Sequence, residues 1–263
     1  MKHRDFVIQA PRDNPSAPFD NGLDQDRDAG ESGDTGMIPM RLRQVCARIA
    51  TAEQRFSRRP GSVGLLAVSK RQSAEKIRAA HSAGQRRFGE SYVQEAIEKQ
   101  RDLHDLDLEW HFVGRIQGNK TRAIAERFDW VHSLCDMHHA ERLSAQRPAQ
   151  SPPLQVCIQV NSSDEATKGG LAPTAVAEFM AACDKLPGLA LRGLMTLPAP
   201  ADTEAEQRAP FRALCQLRDR LASPTRPLDV LSMGMSDDLE AAIAEGATLV
   251  RVGMAIFGPR SRG

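Results

Sequence analysis

The sequence predicts an α/β fold, a single closed parallel (β/α)8 barrel of the TIM type with an extra N-terminal helix, and three observations carry that expectation. The chain has 263 residues, 41% hydrophobic and 26% charged, which suits one large unit, since α/β barrels occupy about 250 residues as a single domain. From Val63 onward, short apolar runs alternate with helical patterns over short connections, and eight such runs can be counted, the order expected of a parallel barrel. No G-x-G-x-x-G follows the first run, which weakens the alternative of an open doubly wound sheet. Periodicity alone leaves closure of the sheet open.

The elements follow in order. Residues 1–36 are rich in Asp, Gly, Pro and Asn, with one short apolar patch at Phe6-Val7-Ile8, and read as a disordered extension ahead of a barrel domain at 37–263. Met37 and Met40 directly precede the first sustained helical pattern. A misassigned start codon is therefore one hypothesis, which the intact mass of the natively expressed protein decides. A helix is expected from about Met40 to Ser57, then a buried strand that ends in a lysine, Leu65-Leu66-Ala67-Val68-Ser69-Lys70. Ser73 suits an N-cap, and Gly84 the C′ position of the helix between them. Next come a strand at Arg87–Gly89, a helix at Tyr92–Leu103, a strand at Glu109–Val113, a helix at Asn119–Phe128 and a strand at Trp130–Ser133. A helix at Met137–Gln146 and a strong strand at Leu154–Val160 precede a helix at Pro173–Lys185 opened by its proline. The series closes with a strand at Leu189–Leu194, a helix at Thr203–Leu221, a strand at Leu228–Ser232, a helix at Asp237–Glu245, whose Leu239 and Ile243 read as core, and a strand at Leu249–Val252.

Composition excludes several classes. The formal charge of +1 comes from 35 basic and 34 acidic residues that are interspersed, and aromatics are 5%, so neither a phosphate-tracking surface nor a base-stacking platform for nucleic acid is suggested. No apolar run approaches the roughly 20 residues of a membrane helix, and the N-terminus lacks a secretory pattern. A cytoplasmic protein with no membrane partner is expected. Cys46, Cys135, Cys157, Cys183 and Cys215 are odd in number and never spaced C-x-x-C, which argues against disulfides and zinc and reads as buried thiols. Adjacent His138 and His139 would face different directions on a helix, and no H-E-x-x-H occurs, so no metal site is expected.

The chemistry begins at Lys70. Burying an ammonium disfavours its charged form, the condition under which an amine attacks an aldehyde to give a Schiff base; a lysine that snorkels back to water from the strand end is the competing reading. In a barrel, phosphate commonly sits between the loops after the seventh and eighth strands. Here those loops read Ser232-Met233-Gly234-Met235-Ser236 and Arg251-Val252-Gly253-Met254, with small residues that let backbone N–H groups approach an anion. Ser236 stands at a helix start, where the dipole favours negative charge, or it is an ordinary N-cap, a reading that Asp237 and Asp238 suit equally well. Lysine and anion cradle together describe a ligand with an aldehyde at one end and a phosphate at the other. Pyridoxal phosphate and a phosphorylated sugar on a Schiff-base aldolase both fit.

The segments LLAVSK (65–70), FGESYVQEA (88–96), WHFVGRIQGNK (110–120), VHSLCD (131–136), GLMTLPAP (193–200) and LSMGMSDDLEAAIAEGATLVRVGMAIFG (231–258) resemble the pyridoxal phosphate homeostasis proteins, the YggS/PROSC family. The resemblance covers essentially everything after residue 40. It implies a single-domain barrel like the N-terminal domain of alanine racemase, binding pyridoxal 5′-phosphate without robust turnover. It further implies Lys70 as the Schiff-base lysine, Ser236, Gly253 and the backbone of Met254 at the phosphate, and Arg251 against the pyridine nitrogen. A guanidinium cannot accept a hydrogen bond, so it would keep that nitrogen unprotonated and weaken the ring as an electron sink. Three positions depart from the family: Ser91 stands for asparagine, Arg115 for proline and Met254 for threonine. The last removes a hydroxyl from the cradle, worth on the order of 1.5 to 3 kcal/mol as a charge-assisted hydrogen bond, and Ser91 needs a water to reach as far.

Met195 and Thr196 are expected to border the cofactor. His111 and Asn119 either line the mouth or, for His111 in an apolar strand, serve as a hydrogen-bonded structural residue. Lys168 and Gly169 resemble a family turn of no evident role. Three functions remain: a carrier that buffers or delivers the cofactor to apoenzymes requiring it, an amino-acid racemase, and a Schiff-base aldolase, for which borohydride would trap a sugar phosphate on Lys70. A racemase needs a second base opposite the lysine; the chain holds one tyrosine, Tyr92, and no second domain is expected to add another. No catalytic residue is assigned, and the resemblance implies a monomer.

Overall fold

The computed structural model describes residues 31–162 and 169–259, with side chains from 35 onward. The expected extension, up to residue 30, and Lys168 lie outside them. The chain runs α1 (Glu31–Arg55), β1 (Gly64–Val68), α2 (Ala74–Ser82), β2 (Arg87–Glu90), α3 (Val93–Asp102), β3 (Glu109–Phe112), α4 (Thr121–Arg127), β4 (Trp130–Leu134) and α5 (Met137–Gln146). It continues through β5 (Leu154–Gln159), α6 (Val176–Cys183), β6 (Leu189–Met195), α7 (Glu204–Leu221), β7 (Val230–Ser232), α8 (Leu239–Ala244), β8 (Leu249–Val252) and α9 (Met254–Phe257). The strands form a closed barrel in sequence order. Its seam is a parallel ladder between β1 and β8, with Gly64 opposite Leu249 and Ala67 opposite Val252.

The period of two along each strand gives the closed sheet two apolar faces. Outward-facing Leu65, Ala67, Phe88, Val156, Ile158, Leu231, Val250 and Val252 join the apolar helix faces in one continuous layer. Inward-facing Leu66, Trp130, Cys157, Met195, Val230 and Leu249 make a separate inner cluster, so the barrel is a packed core rather than a pore. No helix among the described residues is long and apolar enough to cross a membrane.

Four differences from expectation have physical causes. Helix α1 starts at Glu31 although Gly33, Gly36 and Pro39 lie within it; buried Ile38, Leu42, Val45, Ile49 and Ala52 form a stripe along it that packs on α2, α8 and α9 across the barrel seam, and tertiary burial outweighs their poor propensity. Strand β1 stops at Val68, leaving Lys70 in the following loop. Strand β7 begins at Val230 rather than Leu228, whose φ of 46° is left-handed and incompatible with a strand. The thiols are not uniformly buried: Cys157 and Cys183 are, whereas Cys46 is exposed.

Candidate functional site

The loop that carries Lys70 is pinned on both flanks. Before it, Ser69 donates through Oγ to Glu90 Oε1 at 2.6 Å, and its carbonyl accepts from Lys99 Nζ at 2.7 Å. After it, the Arg71 N–H donates to Glu95 Oε1 at 2.5 Å, with Arg71 in the left-handed region at φ 58°. Lys99 ties the flanks together, donating to Glu90 Oε1 at 2.8 Å and Glu95 Oε1 at 2.6 Å. Burial pushes the Glu90 carboxyl up, and Lys99 and Ser69 pull against it. A second buried lysine, Lys76, donates to Gln72 Oε1 at 3.1 Å and to the Phe257 carbonyl at 3.2 Å, joining this loop to the turn after β8. Lys70 itself is half-buried.

The turns after β7 and β8 meet the same rim. A Cβ on Gly253 would stand 3.0 Å from the Val68 carbonyl oxygen, so the backbone after β8 lies directly against the end of the strand that leads to Lys70. In the turn at α9 the Gly253 carbonyl accepts from Ile256 and Phe257 at 2.9 and 3.0 Å, which leaves the N–H groups of Met254 and Ala255 ahead of the first helical bond. Gly234 adopts φ +94°, and a Cβ there would fall 2.6 Å from Ala242 Cβ. Ser236 does not cap α8: that position is Asp238, whose Oδ1 accepts from the Met235 N–H at 2.5 Å. The hydroxyl of Ser236 is thus not required by the helix. Its carbonyl accepts from Arg48 of α1 at 3.0 Å, and Arg48 also makes a two-pronged contact to Glu240 at 3.0 Å through Nε and through Nη2.

Arg251 lies between these parts, 5% exposed, donating from Nη1 to Ser232 Oγ and from Nη2 to the Thr196 carbonyl, both at 2.9 Å. Burial lowers its guanidinium to about 10, with Asp238 and Cys157 opposing, so it remains a cation at neutral pH. The donor set therefore suits a ligand with an anionic end and an electrophilic end. The N–H groups of the α9 turn and Ser236 belong to one part of the rim, Lys70 stands on the adjacent loop, and a buried cation lies beneath.

The remaining expected residues divide. Ser91 follows β2 on the same rim, its backbone pressed against Gly114, where a Cβ would come within 2.2 Å of the Ser91 carbonyl oxygen. Met195 is 1% exposed and belongs to the inner cluster; it is floor rather than lining, and Thr196 supplies the polar groups there, its hydroxyl 2.7 Å from Ser162 Oγ. His111 is not at the mouth: it is buried inside the barrel and hydrogen-bonded on both nitrogens. Sequence reasoning missed Arg48, Glu90, Lys99, His132 and Ser232. The available signal was polar residues at inward positions of short apolar strands, such as His132 within Trp130–Leu134.

A parallel barrel whose first-strand loop holds a lysine, beside glycine turns after its last two strands, defines a class. The chain belongs to the family described as alanine racemase, N-terminal domain, whose model matches residues 41–261. Within it, the chain belongs to the pyridoxal phosphate homeostasis proteins. It is 54% identical to the protein of that name from Pseudomonas aeruginosa over 86% of this chain and 97% of that one. To the Escherichia coli K12 protein of the same name it is 47% identical over 85% and 97%. Among solved structures, PipY of Synechococcus elongatus PCC7942 with PLP bound superposes at TM-score 0.71 and 38% identity, covering 84% of this chain and all (100%) of that chain. Alanine racemase from Corynebacterium glutamicum shares the fold at TM-score 0.65 and 18% identity, over 86% of this chain and 62% of that one.

Proposed function

We propose that this protein binds pyridoxal 5′-phosphate at the barrel mouth and buffers it or hands it to apoenzymes that require it, without robust catalysis of its own. The observation that carries the reading is the seam: pairing of β1 with β8 and the contact of Gly253 with Val68 bring the Lys70 loop and the glycine turn onto one rim above Arg251. The PLP-bound PipY structure and the names of the close relatives support it.

In this reading the Lys70 amine is the attachment point for the aldehyde, as a Schiff base. The Ser236 hydroxyl and the backbone of Gly253 and Met254 take the phosphate, with Ser91 nearby and Met195 beneath. Bound there, the cofactor supplies an electron-withdrawing ring and a carbonyl that amines can exchange onto. Arg251, a donor only, holds a positive edge toward the ring nitrogen and leaves it unprotonated, which suits holding the cofactor rather than stabilising carbanions. Racemisation would need a base on the opposite face. Tyr92, the chain's single tyrosine, is 48% exposed and stacks with Arg71, whose guanidinium lies 5.5 Å from its ring centre. A monomer in the cytoplasm completes the reading.

Purified protein incubated with pyridoxal phosphate is expected to show a visible absorption band that Lys70→Ala abolishes without changing the far-UV circular dichroism. A wild type that stays colourless overturns the reading. Sustained formation of D-isomer or keto acid from single L-amino acids would replace the carrier with an enzyme.

A further inference from the structure

Beneath the mouth, five side chains from four strands touch end to end through the barrel interior. Glu109 Oε1 lies 2.7 Å from His111 Nε2, His111 Nδ1 lies 2.9 Å from His132 Nε2, and His132 Nδ1 lies 2.8 Å from Ser232 Oγ. Ser232 Oγ in turn accepts from Arg251 Nη1 at 2.9 Å. His111, His132 and Ser232 are essentially without solvent contact. Glu109, at the start of β3, reaches the amino-terminal end of the barrel, where its side chain is 39% exposed beside a cavity of about 160 Å³ also lined by Arg59, Arg87 and Asp229. Inward positions elsewhere in the barrel carry Leu66, Cys157, Val230 and Leu249, so packing alone does not call for this polar column.

The carboxylate end dictates its polarity. A guanidinium only donates and a carboxylate only accepts. Because Glu109 only accepts, His111 donates to it from Nε2 and accepts at Nδ1; His132 then donates from Nε2 and accepts at Nδ1 from the Ser232 hydroxyl, whose oxygen accepts from Arg251. Reversing the histidines would set a bare ring lone pair against the Glu109 carboxylate. We infer that Ser232, His132, His111 and Glu109 are positioning residues for Arg251, a one-directional hydrogen-bond column that orders its guanidinium and ties the floor of the ligand site to the opposite end of the barrel. The inference rests on the reading of Arg251 as the partner of the ring nitrogen.

The groups facing the column are consistent with neutral rings. Burial lowers both imidazoles; His111 is also influenced by Glu109, Arg87 and Asp129, and His132 by His111 and Arg251. Cys157, which feels Arg251 across the barrel, is pushed up to about 12 by burial and stays a neutral thiol. On the far side Trp130 stacks on His111 with centroids 5.4 Å apart.

Long-range proton–nitrogen correlation spectra of histidine-labelled, ligand-free protein at pH 7 are expected to show both His111 and His132 neutral with the proton on Nε2. A cationic ring or an Nδ1–H tautomer at either position overturns the column. Ser232→Ala leaves the carboxylate end in command and is expected to keep both tautomers, whereas Glu109→Ala removes it and is expected to give a mixture. The link to Arg251 is read separately. Ser232→Ala with pyridoxal phosphate added is expected to retain the visible band at a shifted wavelength, and Ser232→Thr to restore it. An unmoved band, or a shift that threonine does not reverse, overturns the positioning role. A wild type that takes up no cofactor would end the functional reading while leaving the tautomer result standing.

Discussion

At position 254 the side chain is 57% exposed and offers the rim no polar atom. Met254→Thr puts a hydroxyl beside the N–H groups at the start of α9, where the proposed site holds the phosphate. A hydrogen bond to a charged group is worth about 1.5–3 kcal/mol, so equilibrium dialysis against pyridoxal phosphate should find about tenfold tighter binding or better. Unchanged affinity would mean that the phosphate does not sit at this turn. Gly234 makes a different demand. Its backbone is left-handed and a Cβ would overlap Ala242, so Gly234→Ala is expected to destabilise by about 1–3 kcal/mol, measured as a lower urea midpoint with unaltered slope.

Among the elements, α3 and α1 hold the site from behind. Lys99 of α3 is 7% exposed and Glu90 of β2 is fully enclosed at 0%. Removing one partner of such a pair strands a charge, at a cost of about 3–5 kcal/mol. Lys99→Met should therefore lower stability by that order in chemical denaturation and loosen the Lys70 loop, while Lys99→Met with Glu90→Leu should recover much of the loss. If the single variant is as stable as wild type, the clamp is not structural. Helix α1 reaches the turn after β7 through Arg48 and the Ser236 carbonyl. Arg48→Met is expected to weaken retention of pyridoxal phosphate severalfold while leaving the visible band of the loaded protein in place, as seen by the rate of loss on gel filtration.

For the molecule as a whole, the enclosed imidazoles set a pH dependence. Burial depresses both His111 and His132, and His81 shifts in the same direction. Below the ordinary histidine value of about 6.5 the unfolded chain takes up protons that the folded chain refuses, so stability rises with pH through that window. This contribution is complete above about pH 7 and declines as pH falls from about 6.5. The thermal midpoint should accordingly be flat from about pH 8 to 7 and drop toward pH 5.5. A midpoint that rises on acidification across that range would show that the rings are charged in the folded protein.

The sequence by itself determined the order of strands and helices, the placement of Lys70 and of the glycine turns at strand ends, and the family. Those properties live in local period, turn chemistry and contiguous motifs. Boundaries such as the start of α1 at Glu31 escaped it, because packing against α2, α8 and α9 outweighs the glycines and proline that local propensity counts against a helix. Only the tertiary structure decided that the sheet closes, that Met195 is floor and His111 interior, and that Glu90, Lys99 and the His111–His132 pair exist as units. Each is a contact between strands or helices distant in the chain, and the local pattern around one member does not say which residue it meets.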